Sequence, residues 1–419
     1  MIGSLFAGMV GLNVNSTSMT VLGDNISNVN TTGFKSNRSS FANILSSSLA
    51  GSVSSDVGRG VQFQGTTPMW TQGTIENTNN PTDMAINGSG FFVVQDDTGA
   101  NFYTRAGEFT FDRNGDLVNM SGLYVQGYEV TGTNPDGSLI LGAVTNINAS
   151  AQGASPPFAT DSLSVDVNLD SATADLGTYA TTTTVYDSLG NAIPLTLTFT
   201  KSVAPPANTW TAVPTVPPTV AAAASVTMTN GTFSFDAFGN LNAVVAPAGN
   251  PVISIDPLIS GAAPLSITWD VYDATLASNG SITQYSSPSG TTYQTQNGYP
   301  SGTLRTVDVN EEGVVTGAYS NGQLTPLFQL VMADFPSYYG LTKMGKNLYS
   351  ESLESGPALF GTPQSGRLGS ISTSAIEMSN VDLAAEFVKL ITTQRAFQAN
   401  SRVITTSDEI LNELINLKR

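Results

Sequence analysis

The closing stretch, Ser379 to Arg419, constrains this chain more than any other. Leu383, Phe387, Leu390, Phe397, Ile404, Leu411 and Ile415 fall on one line when helical positions are stepped by four and three, and Gln394, Ser401 and Asp408 fill the remaining places. An apolar line repeating every seven residues for about five heptads is the pattern of a coiled-coil face, not of a helix buried in a globular core. Val388, Ile391, Val403, Ile410, Leu414 and Leu417 add a second apolar flank. Ser379 with Asp382 supplies a capping start, and Lys418 with Arg419 suits the negative end of the helix dipole. At ~1.5 Å per residue the rod would be roughly 57 Å long. A rod of that length needs a partner.

The other end of the chain offers one. Leu5, Met9, Leu12, Met19 and Ile26 follow the same step, with Ser16 and Gly23 at the intervening positions, where small side chains would let a second backbone approach. The two segments either pair inside one chain or pair with sister copies. They differ in length and the longer has two apolar flanks, which argues for several neighbours.

Between these ends lies a long segment rich in Thr, Ser, Gly and Val. A chain of 419 residues is long enough for two or three cores, and 40 glycines, 21 prolines and 11% charged residues predict many turns and short strands. Cysteine and histidine are both absent. Disulfides and thiolate metal sites are thereby excluded, and the commonest general base and metal ligand are missing together. The net charge of −17 is uneven: residues 380–419 balance five basic against five acidic groups, while Lys201 is the one basic residue between 151 and 299, against nine aspartates. An acidic body disfavours nucleic acid and anionic membrane, whereas near-neutral ends can pack on copies of themselves. No apolar run approaches the roughly eighteen residues of a spanning helix, so no membrane insertion is expected. The N-terminus also lacks the basic, apolar and small-residue regions of a cleaved signal.

Taken in order, the chain predicts a mainly β, multidomain fold whose helical ends form a coiled-coil-like inner domain. Residues 1–33 with 375–419 are the terminal helical domain, and 34–70 with 360–374 a Ser-rich connector. Residues 71–145 with 300–359 form a discontinuous β domain, into which a second β domain, 146–299, is inserted. Within the insertion the Pro/Ala-rich stretches 203–224 and 246–264 read as loops. Tight hairpins recur at Asp112–Asp116, Tyr186–Asn191, Phe235–Leu241 and Val309–Val314, each with Asp or Asn three positions before Gly.

The candidate chemical motifs do not assemble into a site. Asp112, Asn114 and Asp116 begin like a calcium loop, but the glycine comes early, before Asp116 and not after it, and the distal glutamate is missing. Asp96-Asp97 and Glu311-Glu312 are adjacent pairs, which on a strand point to opposite faces. Gly88-Ser89-Gly90 has no histidine to activate its serine, and Gly58-Arg59-Gly60 lacks the lysine and spacing of a phosphate loop. No catalytic residues, metal site or cofactor are expected.

Ser4-Leu5-Phe6-Ala7-Gly8-Met9-Val10-Gly11-Leu12, followed by Leu22 to Lys35 (LGDNISNVNTTGFK), resembles the N-terminal signature of bacterial flagellar rod and hook proteins. Ser379 to Ser401 is similar to the matching C-terminal signature. Thr183 to Asn191 (TTVYDSLGN) and Tyr338, Gly340 and Leu341 resemble the hook members of that family, since rod members are usually shorter and lack so large an insertion. The resemblance weakens between 200 and 300. It implies a non-enzymatic, self-polymerising subunit of a curved tube joining rod to filament. The implied partners are the distal rod, hook cap and hook–filament junction proteins, with the type III apparatus exporting an unfolded chain. Phe41 to Leu45 matches the family's Phe-x-x-x-apolar segment for the export gate, with ordinary packing of Phe41 as the alternative. The same resemblance leaves a distal rod subunit open. The Thr-rich strands by themselves also suit a secreted β-rich adhesin or glycan-binding protein.

Overall fold

The structure, a computed structural model, describes residues 2–44, 47–48, 56–57, 60–150, 153–203, 208–221, 225–242, 249–273 and 277–416. It contains two α-helices among the described residues, α1 (Ile2–Ser27) and α2 (Leu383–Asn416), with short strands between them. By density of contact the chain divides into two compact units. One comprises Met1–Gln152, Thr306–Ala318 and Leu324–Arg419, and the other Gly153–Arg305 and Tyr319–Gln323.

The first unit holds both helices and a large antiparallel sheet. Its middle runs through Val314–Tyr319, Leu324–Leu330, Tyr124–Thr133, Phe91–Gln95, Asn101–Thr104 and Leu348–Ser350. Phe91-Phe92-Val93-Val94 is an uninterrupted apolar run because the strand is buried on both faces. On one face Phe91 packs edge-on against Phe335, Tyr338 and Trp70. On the other, Phe92 meets Phe109 at 5.2 Å between ring centroids. The connector 34–70 includes the strands Asn37–Asn43 and Val61–Pro68, which pair antiparallel as a ribbon.

The second unit packs a six-stranded sheet on a four-stranded one. The four-stranded sheet runs Thr178–Tyr186, Ala192–Lys201, Thr209–Thr215, Thr232–Ser234, all antiparallel. In the six-stranded sheet Ser162–Asn168 lies parallel to Leu265–Trp269 and antiparallel to Gly290–Gln296. Alternate residues point inward, so Leu163, Val165, Leu195, Leu197, Phe199, Trp210, Ile267 and Trp269 form one buried core. The chain enters and leaves this unit side by side. Ser155 and Gly302 exchange backbone hydrogen bonds, as do Phe158 and Tyr299, whose rings stack at 5.7 Å.

Two loop expectations are corrected here. The stretch 203–224 contains the strand Thr209–Thr215, and 246–264 contains Val252–Ile255. Proline misled the reading of the first. Pro214 lies opposite Leu197 in the ladder, but the next strand covers only Thr209 to Thr211. At Pro214 the strand is an edge, where a missing N–H costs no ladder bond.

The recurring turns share one device. Oδ1 of Asp96, Asp112, Asp187, Asp236 and Asn310 each accepts the backbone N–H groups two and four residues on, at 2.8–3.0 Å. Gly115 and Gly239, third after Asp112 and Asp236, have φ of 87° and 84°, where a side chain would be strained. In Asp236 the backbone N–H of Asn240, ahead of the other donors, holds the carboxyl below its usual range. Asp112 thus serves as a hairpin acceptor, which accounts for its spacing without a calcium loop.

Candidate assembly surface

α1 is an unusual helix for water. Four glycines lie within it and Asp24 is its one charged side chain, so its intrinsic propensity is low, at ~1 kcal/mol lost per glycine relative to alanine. Its polar residues fold back on the backbone. Asn15 donates to the Gly11 carbonyl at 2.8 Å, Thr17 to Asn13 at 3.0 Å, Thr20 to Ser16 at 3.2 Å and Ser27 to Gly23 at 2.8 Å. Their hydroxyl and amide groups are thereby satisfied within the helix. By length and composition Gly3–Ser27 is apolar enough to cross a membrane. The sequence reading missed this by counting uninterrupted apolar runs, which Asn13 to Ser18 break. α2 starts at Leu383 because Asp382 Oδ1 accepts the N–H groups of Ala384 (2.9 Å) and Ala385 (3.1 Å).

The two helices pair antiparallel. Ser4 Oγ lies 3.3 Å from Ser407 Oγ, and Asn25 Nδ2 donates to Glu386 Oε2 at 3.2 Å. Between those ends, a Cβ on Gly8 would sit 3.0 Å from Ile404, and one on Gly11 would sit 2.7 Å from the Asn400 amide. The buried row on α1 is Gly8, Gly11, Val14, Ser18, Leu22 and Asn25. This row lies one residue N-terminal to the expected seam. Close approach comes from Gly8 and Gly11; a Cβ on Gly23 would meet nothing, and Ser16 is exposed.

Of the expected seam residues, Ile404 lies against Gly8 inside the helix pair, and the others whose burial is described keep part of their surface exposed. Leu5, Leu12, Met19 and Ile26 are half-buried and Met9 is 47% exposed. On α2, Leu390, Phe397, Ile404 and Leu411 are half-buried, while Leu383 is exposed and Phe387 is 50% exposed. Phe6, Val388, Ile391, Val403 and Ile410 are also exposed. Ile415 belongs to the helix, its side chain being among those not described, and Leu45 lies outside the described residues. Within the chain the two ends pair with each other, through a row in which glycine, serine and asparagine accompany Val14 and Leu22. Hydrophobic periodicity could not show that row, because four of its six members are glycine, serine and asparagine, with only Val14 and Leu22 apolar.

A polar knot ties the end of α1 and the start of α2 to the β-sheet. Asn25 brackets Asn37, donating to its carbonyl and accepting its N–H, each at 2.8 Å. Asn380 Oδ1 accepts the Ser36 N–H at 2.8 Å, and its Nδ2 donates to the carbonyls of Met69 (2.8 Å) and Thr71 (3.0 Å). Beneath them Glu377, fully buried, accepts Lys35 Nζ at 2.6 Å and the Gly73 N–H at 2.9 Å on Oε1, and Arg105 Nη1 at 3.3 Å on Oε2. Burial pushes the Lys35 ammonium pKa down, against the opposing pull of Glu377. Arg105 also donates to the Gly88 carbonyl at 2.9 Å and lies over the Phe91 ring. Gly33, at φ 68°, passes so close to Ala106 that a Cβ would lie 2.5 Å from its nitrogen. Lys35, Asn25 and Asn380 all sit within the terminal signatures. Their pairing across hundreds of residues is what the sequence alone did not reveal.

Phe41, the export-gate candidate, stands on the ribbon opposite Phe63, with ring centroids 6.1 Å apart, and is 42% exposed.

Comparison with known proteins accounts for nearly the whole chain. Family profiles match in succession: flagella basal body rod protein over residues 5–35, flagellar hook protein FlgE/F/G D1 domain over 85–168, flagellar basal body protein FlaE D2 domain over 146–299, and flagellar basal body rod FlgEFG protein C-terminal over 372–417. The flagellar hook protein FlgE of Escherichia coli K12 is 36% identical over 420 residues, covering 97% of this chain and 98% of that protein. Flagellar hook proteins FlgE of Borreliella burgdorferi (32%) and Rhizobium meliloti (33%) align over 100% of this chain and over 100% and 99% of their own lengths. The crystal structure of Helicobacter pylori flagellar hook protein FlgE2 covers 72% of this chain and 100% of its own, with 16% identity and a TM-score of 0.49. Full-length identity at this level, spanning both helical ends and the insertion, means that the chain belongs to the flagellar hook protein FlgE family.

Proposed function

We propose that the chain is a structural subunit of the bacterial flagellar hook, polymerising head to tail into a curved tube that joins rod to filament and transmits torque. One observation carries the assembly step. The helix pair buries Gly8, Gly11, Val14, Ser18, Leu22 and Asn25 of α1, while large apolar side chains such as Met9, Phe387, Val388 and Ile391 stay exposed. A helix apolar on most faces is stable only when surrounded. Neighbouring copies would cover the rows Leu5, Met9, Leu12, Met19, Ile26 and Leu383, Phe387, Leu390, Phe397, Ile404, Leu411, Ile415. Heterologous contacts that do not close a ring give a helical filament.

In this reading 1–33 with 375–419 form the inner polymerisation layer, 34–70 with 360–374 the connector, 71–145 with 300–359 the middle layer and 146–299 the outer one. The polar knot passes load from the helices to the sheet, and polar outer surfaces slide as the tube bends. Low intrinsic helicity in α1 suits export of an unfolded chain without a cleaved signal, with the type III gate reading Phe41 and Leu45 before the ribbon pairs Phe41 with Phe63. The distal rod, hook cap and hook–filament junction proteins are the further partners. The role is mechanical, with no catalysis or cofactor. Over its whole length, insertion included, the chain aligns with proteins named for the hook, which favours hook over rod.

The test is removal of residues 380–419. The truncated protein should keep its β circular-dichroism signal and form no tubes by electron microscopy; tubes from it would overturn the assembly role of α2.

A further inference from the structure

The second unit carries a groove between two sheet edges. Thr178–Tyr186 is the outermost strand of the four-stranded sheet, and Gly290–Gln296 pairs with Ser162–Asn168 alone among the described strands. These two free edges run beside each other and leave an open groove of about 370 Å³, lined by Tyr179, Thr181, Thr182, Thr292, Tyr293 and Gln294.

We propose that this groove binds a neutral oligosaccharide. Its chemistry is an aromatic face beside a row of hydroxyls. The Tyr293 ring is 55% exposed and offers a flat apolar surface of low conformational entropy to the C–H face of a sugar. The hydroxyls are already oriented: Tyr179 Oη lies 3.0 Å from Thr291 Oγ1, which donates to Thr181 Oγ1 at 2.9 Å. Thr181 keeps its own proton to give, and the Gln294 amide supplies both donor and acceptor. A wholly apolar ligand would leave these groups unpaired.

Charge narrows the class. No ionisable acid or base other than tyrosine lines the groove, and Lys201 is the one basic residue from 151 to 299, against nine aspartates. The local field therefore repels phosphates, sulfated glycans and nucleic acid. No carboxylate enters the groove to hold a cation. What remains is a ligand that is uncharged, rich in hydroxyls and flat on one side.

The experiment titrates the full-length chain with cellotetraose, chitotetraose and maltotetraose, read by saturation-transfer NMR and calorimetry. At least one should bind in the millimolar range or tighter. Tyr293→Ala should weaken that binding at least ~10-fold, while Thr215→Ala, on the same sheet away from the groove, should leave it unchanged. Circular dichroism checks each variant, and Gln294→Leu, at an exposed position, should give the same loss if Tyr293→Ala fails to fold. Saturation transfer from none of the three, undiminished binding by both groove variants, or binding of a sulfated tetrasaccharide in their place would overturn the proposal.

Discussion

Glu377 holds two cations in the dry interior of the first unit, and both come from distant parts of the chain, Lys35 from beyond α1 and Arg105 from the sheet. Three buried charges are tolerable only while each has its partners. Glu377→Ala leaves a lysine and an arginine facing each other without an anion, and should cost ~3–5 kcal/mol in urea unfolding followed by circular dichroism. Buried tyrosines make a separate prediction. Tyr103 and Tyr349 in the first unit and Tyr272 in the second are pushed up to about 12, chiefly by burial, from an ordinary 10.0. Their phenols stay protonated in the fold at pH values where the unfolded chain ionises. The stability they contribute is whole below pH 10 and is lost as the pH rises towards 12. Thermal midpoints should fall across that window; midpoints that stay level from pH 10 to 12 would contradict it. None of this polar chemistry was legible beforehand. Lys35 looked like one residue of a signature, because a salt bridge spanning most of the chain has no local pattern.

At the scale of the element, the helices show how far a period can be trusted. Their existence and the heptad spacing follow from the sequence, whereas the expected Ser379–Asp382 start resolves into Asp382 alone as the cap of α2, Ser379 Oγ accepting the Val381 N–H instead. Which face meets which partner does not follow. Apolar residues marked Leu5, Met9, Leu12, Met19 and Ile26, whereas close approach between two backbones selects the smallest side chains, Gly8 and Gly11. Two variants separate these faces. Gly11→Val drives a branched side chain into Asn400 and should part α1 from α2, at ~1–3 kcal/mol of overpacking, with a loss of helical dichroism in the monomer. Met9→Glu should leave that dichroism intact and prevent tube formation in electron micrographs, since it changes only a side chain exposed on the pair. If both variants behave alike, the two faces are not distinct. The strand Thr209–Thr215 teaches the same lesson: proline signals a loop only where its nitrogen is needed in the ladder.

For the whole molecule, the insertion is the main architectural fact. Residues 153–305 enter and leave through paired backbone at Ser155 with Gly302 and Phe158 with Tyr299, and enclose a core of their own around Trp210 and Trp269. A fragment of these residues should fold alone, giving β dichroism and one cooperative thermal transition; a chain without such a transition would show that the core needs the rest of the protein. The sequence by itself determined the order of parts: helix, β-rich body with a second β domain inside it, long heptad helix. It did so because periodicity, turn residues and charge are local properties repeated along each segment. The tertiary structure alone decided the helix-pairing face, the buried Lys35–Glu377–Arg105 knot and the groove between two sheet edges. Each of these joins residues far apart in the chain, and their geometry comes from packing, which leaves no period to read.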